Sequence, residues 1–205
     1  NYSTSLDEQL IDRVKALSNL EEKQSLQGRG IHYNNTKSYE RTFTNIDQRF
    51  DAIKSLLTRC ANPNADDEVK QSVLFYVYSE RLAELLLSYG ADPNKSNEYG
   101  ETPLFFVKTL EVAKLLVENG ANIETHSNDS ILYKICSRYD TAHDKAEQLK
   151  IIKFLLDKGC NPDEMDYENE TPDNYVYSDG KVRILFDIAR RRFSKTGQRI
   201  MNPPQ

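Results

Sequence analysis

One phrase recurs along this chain, and that recurrence constrains the fold more than any other feature. Leu85-Leu86-Leu87-Ser88-Tyr89-Gly90-Ala91-Asp92-Pro93-Asn94 has echoes at residues 56–64, 115–122 and 155–162. Cys60, Gly90 and Gly120 are spaced by 30 residues, and Gly159 follows after 39, so the third interval carries an insertion. A second element keeps step: Ser72-Val73-Leu74-Phe75, Thr102-Pro103-Leu104-Phe105, Ser130-Ile131-Leu132-Tyr133 and Thr171-Pro172-Asp173-Asn174. A fixed period of this size means stacked supersecondary units, each touching only its neighbours, rather than one globular core.

Each recurring residue has a physical task. Thr102 and Thr171 are placed to cap helix starts, with Pro103 and Pro172 at the first helical position, where no N–H is needed. Leu82, Leu85 and Leu86 have the three- and four-residue spacing of one buried helix face. Val112, Leu115 and Leu116 repeat that spacing, as do Ile151, Leu155 and Leu156. Gly90, Gly120 and Gly159 stand where those helices must end in a left-handed residue, and the Asp and Asn that follow favour tight turns.

Thr-Pro-Leu-Phe opening a helix, then a leucine-rich helix closed by Gly-Ala-Asp-x-Asn, resembles the ankyrin repeat over about residues 50 to 193. That resemblance implies an all-α solenoid of about five helix pairs with short hairpins and two long inter-helix insertions. The family repeat is about 33 residues. Here the deficit lies after Thr102, where only residues 106–110 precede the second helix and the family's Gly-His turn is lacking. Phe105 also replaces the family's His. The compressed repeats and the Thr-Pro-Leu-Phe-Phe wording look like ankyrin arrays of bacterial proteins, secreted effectors included.

The chain divides, on this reading, into a capping helix plus polar insertion (1–49), the repeats with their C-terminal cap (50–193) and a flexible tail (194–205). Leu6, Leu10, Val14 and Leu17 share one helical face, with Ser5 as cap, and residues 50–57 supply the partner helix. The polar stretch 21–46 reads as a long loop, and 137–145 as an insertion within the fourth repeat. At the far end, Val182, Leu185, Phe186 and Ala189 pass into Arg190-Arg191-Arg192, as a cap with one wet side requires. The chain opens at Asn1 without methionine and is read as part of a longer polypeptide.

Composition narrows the function classes. Charged residues are 29% and hydrophobic residues 38%, which excludes wholesale disorder, and no apolar run nears the roughly 20 residues that span a bilayer. Cys60, Cys136 and Cys160 form no Cys-x-x-Cys pattern, which argues against disulfides and zinc and for a reducing, cytoplasmic compartment (host cytosol, for a secreted effector). Cys60 and Cys160 occupy repeat glycine and alanine positions and read as small packing residues.

Enzyme chemistry finds no support. Cys136 with His126 or His143 is the one nearby thiol–base combination, and it sits on an inner helix where a small buried residue is expected. Gly28-Arg29-Gly30 is too short for a phosphate loop, and no cofactor is expected. The hairpin tips are more informative. They carry Asp66, Asp67 and Glu68; Glu98, Tyr99 and Glu101; His126 and Asp129; and Asp166, Tyr167, Glu168 and Glu170. In the ankyrin architecture such tips line one edge of the concave face, which makes these twelve the expected partner-binding residues. The expected function is non-catalytic recognition of another protein, one with a basic patch or segment, on behalf of a larger protein such as a bacterial effector. Two alternatives remain: an enzymatic site built on the insertions, and nucleic-acid binding through Arg190, Arg191, Arg192, Lys195 and Arg199. The net charge of −5 opposes the second.

Overall fold

A computed structural model describes residues 5–28, 36–124, 130–139, 144–166, 168–176 and 179–192. Among them there are helices and no strands. The elements run α1 (Leu6–Gly28), α2 (Thr36–Thr58), a 3-10 turn (Val73–Tyr76), α3 (Glu80–Ser88), a 3-10 turn (Pro103–Phe106), α4 (Leu110–Glu118), α5 (Ile131–Ser137), α6 (Lys145–Asp157), a 3-10 turn (Pro172–Tyr175) and α7 (Gly180–Arg192). The all-α repeat class read from the sequence is the class observed.

α1 starts at a capping box. Glu8 N–H donates to Ser5 Oγ at 3.1 Å, while Glu8 Oε2 accepts from Ser5 N–H at 2.8 Å, satisfying two donors that the first turn leaves open. Its face of Leu10, Ile11, Val14 and Leu17 is buried, as are Ile53, Leu56 and Leu57 of α2. The loop expected over 21–46 is not what forms over 21–28 and 36–46, and 29–35 lie outside the described residues. α1 continues to Gly28 and α2 already begins at Thr36. Polarity misled here, because a helix with one buried stripe leaves its other faces free to be charged.

In three units the first helix shrinks to one 3-10 turn of four residues. Val77 and Val107 leave that turn in extended conformation, and α3 begins three residues after Val77 and α4 three after Val107, so there is no room for a second turn. The repeat shortened to 30 residues is thus shortened in its first helix. Where the chain carries its insertion, α5 is a regular seven-residue α-helix. Pro103 and Pro172 take the early helical position expected of them. Thr102 and Thr171 do not cap. Thr102 Oγ1 is buried without a partner, and Thr171 Oγ1 donates to Asp173 Oδ1 at 2.8 Å. The side-chain caps belong instead to Ser79, Ser130 and Asp144.

The second helices bury the expected stripe, although Leu85 and Leu115 are only half-buried. Gly90, Gly120 and Gly159 end them with φ of 88°, 87° and 94°. Cys60, at the same position with φ 66°, is exposed, which corrects its reading as a packing residue; Cys160 is buried as expected. A residue that terminates a helix in the left-handed region points its side chain off the end of the helix, not into the core.

The chain forms two compact units. The first comprises Asn1–Glu98, Thr102–Val107 and Glu111–Ala121; the second comprises Tyr99–Glu101, Lys108–Leu110 and Asn122–Gln205. Asparagines stitch successive loops in the first. Asn64 Nδ2 donates to Gly90 O at 2.9 Å while its Oδ1 accepts from Asp92 N–H at 2.6 Å, and Asn94 Nδ2 donates to Gly120 O at 2.8 Å. In the second, Tyr139 is buried and its hydroxyl donates to Asp179 at 2.8 Å.

Candidate functional site

Two hairpin tips share one construction. In the first unit Asp67 Oδ1 accepts from Val69 N–H (3.1 Å) and Gln71 N–H (3.0 Å), and Oδ2 accepts from the Tyr76 hydroxyl. In the second, Asp166 Oδ1 accepts from Glu168 N–H (2.8 Å) and Glu170 N–H (3.0 Å), and Oδ2 from the Tyr175 hydroxyl. Both tips turn through a non-glycine residue in the left-handed region, Lys70 (φ 62°) and Asn169 (φ 61°). An aspartate that accepts two backbone donors holds such a turn closed. In the third tip Asn97 and Phe106 occupy the corresponding places, so acceptor and hydroxyl change together.

Electrostatics follow from that geometry. Burial alone would raise the Asp67 carboxyl, but hydrogen bonds from Lys15, Tyr76 and the Gln71 amide outweigh it and hold the group at about 2. Lys15 Nζ lies 2.8 Å from Asp67 Oδ2 and 4.3 Å from the centre of the Tyr76 ring, tying α1 to the tip. Tyr175, whose hydroxyl is held by Asp166, is raised for that reason first.

These contacts sort the twelve expected residues. Asp67, Asp166 and Glu101 are committed to the protein's own structure; Glu101 is buried and pairs with Lys134 at 2.6 Å. Asp66 pairs with Lys95 at 3.1 Å. Glu68, Glu98, Tyr99, Glu168 and Glu170 are exposed, Tyr99 to 66%. His126, Asp129 and Tyr167 lie outside the described residues. Sequence reading passed over the Asp–Tyr construction, although its signal was there: aspartate with tyrosine nine residues on, twice, and Asn97 with Phe106 once. It also passed over the edge-to-face pair Tyr133–Tyr175, 4.8 Å apart.

The two alternative chemistries fare differently from the tips. Cys136 is fully buried, and burial first, with Asp173 second, pushes its thiol upward, so it is a poor source of thiolate. Both histidines considered with it, His126 and His143, are outside the described residues. Among the described residues no group of three or more metal-ligating side chains forms. Of the basic cap, Arg190 is clamped by Asp173 (2.7 and 3.0 Å) and Asp163 (2.6 Å), and Arg192 by Asp157 (2.6 Å). Cations neutralised in this way contribute little to phosphate binding. Lys195 and Arg199 are outside the described residues.

Short helical elements closed by left-handed caps, repeated in register and stitched by loop asparagines, define a helical-repeat scaffold. Residues 77–166 match the family model for ankyrin repeats, in three copies. That match supports an ankyrin-repeat family for the segment, and ankyrin repeats are in general protein–protein interaction modules. A comparison with curated proteins found no match. No helix among the described residues is long and apolar enough to cross a membrane.

Proposed function

We propose that the chain binds a protein partner through the tip residues its own structure leaves exposed: Glu68, Glu98, Tyr99, Glu168 and Glu170. The observation that carries this reading is Tyr99, 66% exposed at a hairpin apex beside exposed Glu98. Tyrosine is enriched among interface hot spots, and a ring presented at an exposed apex can serve a partner as an anchor. Exposed carboxylates at the tips favour a partner with a basic segment and speed its encounter. The repeats then serve as the recruiting part of a larger cytoplasmic protein, such as a bacterial effector, a reading supported by their compressed wording.

The test is site-specific photo-crosslinking. A photoreactive residue at position 99 is expected to capture a partner carrying a basic segment, while one at exposed Glu84 on the back of α3 captures none. Glu68, Glu98, Glu168 and Glu170 changed to Gln together are expected to slow association with that partner, most at low salt, with helicity unchanged. Capture at Glu84 and not at position 99, or kinetics indifferent to both the carboxylates and salt, sinks the reading.

A further inference from the structure

Helices α3, α4, α6 and α7 can be superposed in register on their fully buried Leu86, Leu116, Leu155 and Phe186. Three residues earlier, α3, α4 and α6 bury Ala83, Ala113 and Ile152, whereas α7 has exposed Arg183. Two residues before the reference and two after it, the same three helices expose Glu84 and Ser88, Lys114 and Glu118, Lys153 and Asp157. At those two places α7 carries Ile184 and Ile188, exposed to 59% and 41%. The polarity is thus inverted in α7: charge stands where its sister helices are buried, and isoleucine stands where they are wet.

The inversion is not a helix turned over in place. Val182, Phe186 and Ala189 of α7 are buried, so its core face is the normal one. Ile184 and Ile188 are one turn apart on the opposite side of the helix, away from the core face. Lys181 and Arg191 flank them on the same side, both exposed, with Lys181 also close enough to Asp179 to hold its carboxyl down. Arg192 beside them is held by Asp157, and Asp187 lies on the rim. The stripe is therefore two apolar anchors between exposed cations.

We infer that the outward face of α7 is a docking surface, separate from the hairpin tips, for an acidic amphipathic helix of a partner protein. Such a helix presents apolar residues at three- and four-residue spacing, which matches anchors one turn apart, and acidic neighbours that meet Lys181 and Arg191. A two-residue stripe is too small to bury an interfacial helix in a bilayer, because that mode draws its strength from a long apolar face.

A peptide-display library selected on the whole chain and counter-selected on the Ile184→Ser/Ile188→Ser variant tests this. The expected winners carry apolar residues at i and i+3 or i+4 with flanking Asp or Glu. Fluorescence anisotropy of one such peptide should show roughly tenfold weaker binding to the double serine variant. Lys181→Ser/Arg191→Ser should weaken it several-fold, with a flatter salt dependence. Thermal unfolding of both variants should match the parent, since all four side chains are exposed. Glu98→Gln/Glu168→Gln should leave the peptide's affinity unchanged, which separates this surface from the tips. The inference is overturned if no peptide is enriched on the parent over the variant, or if those enriched are basic. It is equally overturned if vesicles of phosphatidylserine and phosphatidylcholine bind the parent and lose it in the isoleucine variant, which would make the face a membrane contact.

Discussion

Removing the Asp67 carboxylate tests whether the tip aspartates hold the repeats or face a partner. Asp67 makes four polar contacts: two backbone amides, the Tyr76 hydroxyl and Lys15. A hydrogen bond to a charged group contributes about 1.5–3 kcal/mol when its donor cannot rehydrate. Val69 is 45% exposed and Lys15 is at the surface, so their donors find water, and that Coulombic share is discounted for screening. Tyr76 keeps Gln71 Oε1 at 2.8 Å. What remains is chiefly the Gln71 amide and part of the tyrosine bond, and Asp67→Ala should cost about 2–3 kcal/mol. Asp67→Asn retains an oxygen for both amides but turns a donor toward Tyr76, and should cost about 1–2 kcal/mol. The third tip, which uses Asn97 with Phe106, predicts that adding Tyr76→Phe to Asp67→Asn costs less than the two changes summed, by about 1 kcal/mol. Urea unfolding followed by circular dichroism measures all four states at neutral pH. Acid provides a second axis. The folded carboxyl sits at about 2 and an unfolded aspartate near 3.9, so its stabilisation is complete above about pH 4 and drains away as pH falls through about 2. Asp67→Asn should flatten that part of the profile. Strict additivity of the pair, or a loss below about 0.5 kcal/mol for Asp67→Ala, would refute the structural role.

Two further outcomes test the repeat core and its turns. Leu86→Ala or Leu116→Ala, both at fully buried positions, should destabilise by about 2–5 kcal/mol in urea melts, with Leu20→Ala costing far less because Leu20 is only half-buried; equal losses would mean the buried stripe is misplaced. Gly100 has φ 77°, so Gly100→Val should lower the melting temperature more than Gly100→Asn, and equal shifts would count against a strained turn.

Much of this fold was written in local pattern. The leucine stripe of α3, the glycines that end each second helix and the prolines that open two of the short turns depend on the chemistry of a few neighbouring residues, and periodicity reports such features directly. The shortened first helix was also legible, as a deficit of residues between Thr102 and α4. The stretch 21–46 was not, because loops and the solvent faces of long helices have the same polar composition, and only packing of α1 against α2 separates them. The tip acids show the same limit. Asp67 and Glu68 are adjacent and equally acidic, yet one is tied to two amides, a tyrosine and a lysine while the other stands in water. Sequence places both charges at a tip; tertiary contacts decide which one is spent, because two of the Asp67 partners come from residues 9 and 52 positions away. For Ile184 the sequence determined an apolar residue in an amphipathic helix, and only the burial of Val182 and Phe186 on the opposite face left that residue facing outward.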